Sequence, residues 1–246
     1  MKIDFLGTNG WYDTDTGNTT CVLIETNSEF IIFDAGNGFS KIDRYINGLK
    51  PVYLFLSHFH LDHIIGLHIL NKFRFKQSMN IYGPAGLKRM FAMVINKPYS
   101  IPISSLKYNI KLIEIGRGTK FPVATQYANL KHSSLCYGYR LTLEEKVVTF
   151  CTDTGTCKNL SLLAKHADLL LLECSLKSGR QSHKWPHLNP EMAASVAKAA
   201  GAKRLGLIHF DAYAYQSIPE RIFARNCARN IFKNTFVAKD NFTITI

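Results

Sequence analysis

LSHFHLDHIIG, residues 56–66, places three histidines and an aspartate within six positions, just where an apolar run ends. His58 and His60 are two apart, so in extended backbone both imidazoles point to one side. Asp62 and His63 follow at the start of His63–Leu70, a segment read as a helix, and project from its first turn toward the same space. One short loop therefore supplies ligands for two adjacent ions. Imidazole combined with carboxylate suits zinc, with manganese or iron as alternatives, and histidine-rich half-sites bridged by a carboxylate favour a pair of divalent ions. Such a pair activates a water near neutral pH and clamps the oxygens of the reacting group.

Working outward, the same rule recurs at other strand ends. The run VYLFLS ends at His58, VVTFCT at Asp153, LLLL at Glu173 and RLGLI at His209. A loosely alternating segment, 121–131, ends at His132. In a sheet whose strands run alike, those ends share one edge, where loops on a rigid scaffold build sites. Strand-like runs also dominate the first third of the chain (KIDFLG, TTCVLIET, EFIIFDAG). Further helices are predicted over Pro84–Met93 and Pro190–Ala200. The latter carries Asn189 as a capping residue, Pro190 at the first helical position and Glu191 at the positive end of the dipole.

A chain of 246 residues, 46% hydrophobic, is long enough to bury a full core, so one domain spanning 1–246 is expected. No stretch approaches the ~20 apolar residues of a membrane span, and the N-terminus has no apolar segment of an export signal, which predicts a cytoplasmic protein. The six cysteines contain no CxxC pair, so they read as reduced thiols rather than a zinc ribbon or redox motif. Thirty Lys and Arg against 18 Asp and Glu give a formal charge of +12, which attracts anionic substrates or polyanions. The segment KFRFKQ, 72–77, reads either as an edge strand with one solvated face or as a nucleic-acid contact. His68 is expected on the inner side of its helix, His166 on a solvated turn, and His183 in a loop that can approach substrate.

The HFHLDH core of the opening stretch resembles the HxHxDH signature of the metallo-β-lactamase superfamily, with FDAGNG, IYGPAG, His132, Asp153 and His209 in matching order. Within that superfamily KHSSLCYGYRL, CTDTGTC, LLLLECS and HLNPEMAASVAKAAGAKRLGLIHF look most like ribonuclease Z and related cyclic phosphodiesterases. The resemblance implies an α/β fold of the αββα sandwich type, two mixed β-sheets flanked by helices. It implies that His58, His60 and His132 hold one metal, that Asp62, His63 and His209 hold the other, and that Asp153 bridges them. It further implies that Asp62 touches the attacking water. By the same resemblance His187 would lie over the leaving-group oxygen as proton donor, oriented by Glu173, and the start of the following helix would offer N–H groups to a phosphate.

The function implied is a binuclear metal-dependent phosphodiesterase acting on a small or terminal phosphodiester. A ribonuclease Z-like endonuclease processing RNA 3′ ends is the first alternative, and a thioester or lactone hydrolase is the second. Ribonuclease Z enzymes carry a long arm between the third and fourth metal motifs, whereas only YGYRLTLEEKVVTFCT lies there in this chain. The expected partners are therefore a phosphodiester substrate, small molecule or RNA end, no membrane and, by resemblance, a second subunit in a homodimer.

Overall fold

The computed structural model describes residues 1–182 and 184–246, so the expectation for His183 lies outside the described residues. The chain opens with β1 (Lys2–Gly7), the short β2 (Asn9–Gly10), β3 (Cys21–Glu25), β4 (Phe30–Phe33), β5 (Val52–Phe55), β6 (Met79–Gly83) and β7 (Ile110–Glu114). It continues through β8 (Ala124–Asn129), β9 (Tyr137–Leu143), β10 (Lys146–Cys151), β11 (Leu169–Glu173), β12 (Leu205–Ile208), β13 (Phe210–Asp211), β14 (Thr235–Val237) and β15 (Phe242–Thr245). Helices α1 (Leu61–Ile64), α2 (Leu87–Val94), α3 (Lys158–Ala164), α4 (Pro190–Ala199) and α5 (Ile218–Arg229) intervene.

Two mixed sheets result. One has the order β15-β1-β3-β4-β5-β6-β7 and the other β14-β12-β11-β10-β9-β8. In the first, β4 through β7 pair in parallel and the β15, β1, β3 side is antiparallel. In the second, β10, β11, β12 and β14 are parallel and the β8–β9–β10 side is antiparallel.

The layering follows from strand periodicity. Along β4, Phe30 and Ile32 join a core beneath helices, while Ile31 and Phe33 join the core between the sheets. Along β11, Leu170 and Leu172 face α3, α4 and α5, while Leu169 and Leu171 face the other sheet. A strand covered on both faces must be apolar at every position, and this is why FIIF and LLLL show no alternation. Between the sheets Phe33 and Phe150 stack at 4.7 Å with planes 3° apart, both fully buried. Each buried ring stabilises by about 1.5–3 kcal/mol over leaving it in water, so this central layer fixes how the sheets face each other. The expected αββα sandwich is the observed architecture.

Three local expectations need correction. The helix expected over His63–Leu70 is one α-turn, α1, followed by a 3-10 helix over Ile65–Lys72. Gly66 packs directly on the backbone oxygens of Gly36 and Ala35, so the segment is wound against the FDAG turn rather than laid as a free amphipathic helix. His68 is exposed there, not inward. The KFRFKQ segment keeps its alternating burial but pairs with no strand; Phe73 is buried edge-on against Phe39, and Phe75 stacks on Phe73. Its aromatic rings are committed to the core, which removes them as a nucleic-acid stacking surface. His166 does lie on an exposed turn.

Candidate metal centre and cleft

The predicted strand ends meet, but not within one sheet. His58 follows β5 of the first sheet, whereas Asp153, Glu173 and His209 follow or end β10, β11 and β12 of the second. Packing of the two sheets brings their carboxyl ends to a common edge. The loop carrying His58 and His60 is fixed from across the interface, where Tyr139 Oη donates to the Leu56 carbonyl and the Tyr137 N–H to that of Ser57. Gly155 N–H donates to Lys131 O, which draws His132 toward the Asp153 turn.

His58, His60 and His132 form one group of candidate ligands, and Asp62, His63 and His209 form a second. His58, His63 and Asp153 link them, with the donor atoms of each group within 4.8 Å of one another. His60 Nδ1 is 3.2 Å from His132 Nε2, and His63 Nε2 is 3.1 Å from His209 Nε2. Asp153 Oδ2 is 3.1 Å from both of the latter nitrogens, and Asp62 Oδ2 is 3.4 Å from both.

The proton inventory decides what these contacts mean. His63 Nδ1 donates to Asp34 Oδ2 at 2.8 Å, and His209 Nδ1 lies 3.1 Å from Ser175 Oγ. With Nδ1 occupied, each Nε2 of the neutral ring turns a lone pair toward the other and toward two carboxylate oxygens. His58 Nε2 is buried without a partner among the described residues, while its Nδ1 lies near Ser57 Oγ. Buried polar atoms are rarely left so, because each costs about 1–3 kcal/mol. Lone pairs about 3.1–3.4 Å apart are close to the edge of a zinc tetrahedron, roughly 3.3 Å for metal–nitrogen bonds near 2.0–2.1 Å. The donor set thus fits divalent cations.

The electrostatics agree. Burial holds His58 and His132 below the ordinary imidazole range, His132 at about 4, which keeps both neutral as ligands must be. For Asp62 burial works the other way, but His63 and His209 outweigh it and keep the carboxyl ionised. At His63 burial is overcome by Asp62, Asp153 and Asp34, which pull a positive charge onto the ring. A divalent cation satisfies the same demand.

His187 and Glu173 also meet as expected, Nδ1 to Oε1 at 2.8 Å. Glu173 is fully buried and accepts from the backbone N–H groups of Thr154, Ser175 and Leu188 as well, so its position is fixed on every side. Burial alone would lower His187, but the Glu173 carboxylate prevails and raises it to about 9. The capping expectation holds, with Asn189 Oδ1 accepting from Met192 N–H at 2.8 Å. Two of the N–H groups near that helix start are already engaged. Leu188 N–H serves Glu173 and Met192 N–H serves Asn189, so these donors stabilise the protein's own side chains.

A cleft of about 530 Å³ lies over the centre, lined by His60, Asp62, His132, Asp153, His187 and His209, with Trp11 and Trp185 at its rim. β13 pairs with β2 beside it, so that any side chain at Gly10 would enter the His209 ring. Asp34, Asp153 and His209 all adopt left-handed backbone, at φ 56°, 47° and 50°. Such strain, of order 1–3 kcal/mol per residue, persists where the surroundings over-determine a functional geometry.

The sequence reading missed Asp34, Ser57 and Ser175. Asp34 accepts from Ser57 N–H, Ser57 Oγ and His63, and Ser57 Oγ in turn lies 3.0 Å from His58 Nδ1. The signal for Asp34 was present, since it is another acid delivered just past an apolar strand, FIIF. Ser57 and Ser175 carried no distinguishing signal.

Comparison with known proteins places this geometry. Residues 30–210 match the sequence model of the beta-lactamase superfamily domain. The ribonuclease Z of Bacillus velezensis is 26% identical, covering 100% of this chain and 99% of its own. That alignment runs over 311 positions against 246 residues here, so the relative carries stretches this chain lacks. Among solved structures, the metallo-beta-lactamase fold protein YhfI of Bacillus subtilis aligns with a TM-score of 0.82 at 22% identity, covering 99% of each chain. The short form of human tRNase Z aligns at 0.76 with 20% identity, covering 100% of this chain and 99% of that one.

Proposed function

This chain belongs to the beta-lactamase superfamily and is a metal-dependent hydrolase, and from that premise we propose that it cleaves a small or terminal phosphodiester. His58, His60 and His132 would hold one divalent ion and Asp62, His63 and His209 a second, with Asp153 between them. When bound, such ions supply an activated water and positive charge against the phosphoryl oxygens, zinc being the metal the donor set suits first and manganese or iron the alternatives. Asp62 takes a proton from the attacking water. His187, held by Glu173, donates a proton to the departing alkoxide, a contribution on the order of 100-fold or more.

The single observation carrying this reading is the buried Glu173 beneath His187 at the edge of the cleft. Thioester hydrolysis expels a weakly basic thiolate that departs without a proton, whereas expulsion of an alkoxide from phosphorus calls for a donor such as the raised, carboxylate-held imidazole at the leaving-group side.

A second reading, RNA 3′-end processing, is favoured by the ribonuclease Z relatives and the charge of +12. Against a large RNA grip stands the β9–β10 connection. It is a two-residue turn at Glu144 and Glu145, both left-handed, and a long arm has no room there. A small or terminal diester is therefore preferred, in the cytoplasm and, by family habit, in a homodimer.

The test uses metal-loaded protein with bis(p-nitrophenyl) phosphate, a dialkyl-type dinucleotide and p-nitrophenyl acetate. Both diesters should turn over and stop on chelation. His187→Ala should cripple the dinucleotide reaction far more than the p-nitrophenyl diester, whose weakly basic leaving group departs without a proton. Turnover of the carboxylic ester alone, indifferent to His187, would reassign the chain to thioester or lactone hydrolysis.

A further inference from the structure

The chain has two tryptophans, and both stand at the mouth of the cleft, 65% and 56% exposed. An indole is the most costly side chain to leave in water without a purpose, and large apolar groups gathered at a cleft mark binding. Neither tryptophan stands on an unanchored stretch of backbone. Trp11 has left-handed backbone, φ 75°, which is an outlier for a bulky residue, and its backbone N–H donates to Asp62 Oδ2 at 2.8 Å. The strand before it is clamped by the buried Arg221, which donates to Thr8 Oγ1 at 3.0 Å and also to Asn9 Oδ1. Tyr12 packs edge-on against the Trp11 ring, with centroids 5.2 Å apart. Trp185 donates its backbone N–H to Ser182 Oγ, and its carbonyl accepts from the His187 backbone N–H, both at 2.9 Å. The backbone of one tryptophan is thus tied to Asp62 and that of the other to His187, the two groups that handle the attacking and leaving sides of the reaction proposed above.

Resting on that reading, we propose that Trp11 and Trp185 form a stacking rim for a nucleobase carried by the phosphodiester, so that the substrate is a nucleotide or an unpaired RNA end rather than a base-free diester. The location suits this chemistry, since a base lies one sugar away from its phosphate and both tryptophans line the cleft that holds Asp62 and His187. The charge of +12 favours the same polyanionic class over a neutral apolar ligand. Stacking tolerates any base, and each aromatic partner is worth on the order of 5- to 100-fold in affinity.

The test compares kcat/KM for thymidine 5′-p-nitrophenyl phosphate with that for methyl p-nitrophenyl phosphate, which shares the leaving group and lacks the base. The metal-loaded protein should prefer the nucleoside diester at least about tenfold. The preference should fall toward unity in Trp11→Ala/Trp185→Ala, mainly through KM, and survive in Trp11→Phe/Trp185→Phe. Equal rates on the two diesters, or a preference untouched in the double alanine variant, overturn the proposal while leaving the phosphodiesterase reading intact.

If neither diester turns over, that reading has failed and intrinsic fluorescence decides the stacking rim alone, because the two rim tryptophans are the whole tryptophan signal. Quenching by AMP but not by ribose 5-phosphate supports stacking, and equal or absent quenching overturns it. Emission that responds to dilution but not to nucleotide also overturns it, in favour of contact with a second copy. Tighter quenching by a short oligoribonucleotide than by AMP identifies an RNA end as the source of the base, and equal affinity identifies a free nucleotide.

Discussion

His63 Nδ1 sits 2.8 Å from Asp34 Oδ2, with both side chains fully buried. Asp34 takes no part in either ligand group, yet it fixes the His63 ring and its tautomer while also accepting from the Ser57 N–H and Oγ. Removing this support acts on the metal site without deleting a ligand. Asp34→Asn, which turns an amide N–H toward the His63 N–H, should weaken zinc binding by roughly 10–100-fold. Competition against a chelating dye measures this, and unchanged affinity would mean that Asp34 is only a core residue.

Glu173 sets the charge on His187. The imidazole is raised to about 9 with the carboxylate beside it, so the protonated, proton-donating form prevails below that pH and is lost above it. In Glu173→Gln the Coulombic support disappears while the shape is retained. The alkaline limb of the rate profile for an alkoxide-leaving diester should then move toward lower pH, in the direction of the ordinary imidazole value near ~6.5. A limb that stays in place would assign it to another group.

Metal removal should show in stability as well as in rate. Asp34, Asp62 and Asp153 converge on His63, and without cations the buried His58 Nε2 stays unpartnered among the described residues. Metal at ~100 times its Kd contributes about 2.7 kcal/mol, which is roughly 5–10 °C in Tm for a chain of this size. Calorimetry of chelated and reloaded protein should record that rise, and His58→Ala should reduce it. A Tm indifferent to metal would argue against a filled centre.

Gly10 touches the site through shape alone. A methyl group there would occupy the space of the His209 ring, which must tilt or move with its strand. Gly10→Ala should therefore cut turnover by at least ~10-fold, because sub-ångström misplacement of catalytic groups is costly. Circular dichroism should stay native, and full activity in a folded variant would show that the ring has room to move.

Most of the candidate site was legible in the sequence for a local reason. His58, His60, Asp62 and His63 are close along the chain, and strand and helix periodicity is enough to predict that they converge. His132, Asp153, Glu173 and His209 could be found because strands of a sheet end together. The same reasoning failed at Ile65–Lys72, where contact of Gly66 with the Gly36 and Ala35 carbonyls overrode helical spacing, and at Phe73 and Phe75, whose burial comes from core packing without a strand partner.

By itself the sequence determined the donor chemistry, the doubly buried strands and the caps, all of which depend on residue type and short-range spacing. Tertiary structure alone decided that two sheets rather than one deliver the ligands, that Asp34 supports His63 across 29 positions and that Trp11 reaches Asp62 across 51. The 3.1 Å approach of His63 to His209 spans 146 positions. Such contacts are set by how the aromatic layer between the sheets packs, as in the Phe33–Phe150 stack, and no periodicity along the chain encodes a distance across that layer.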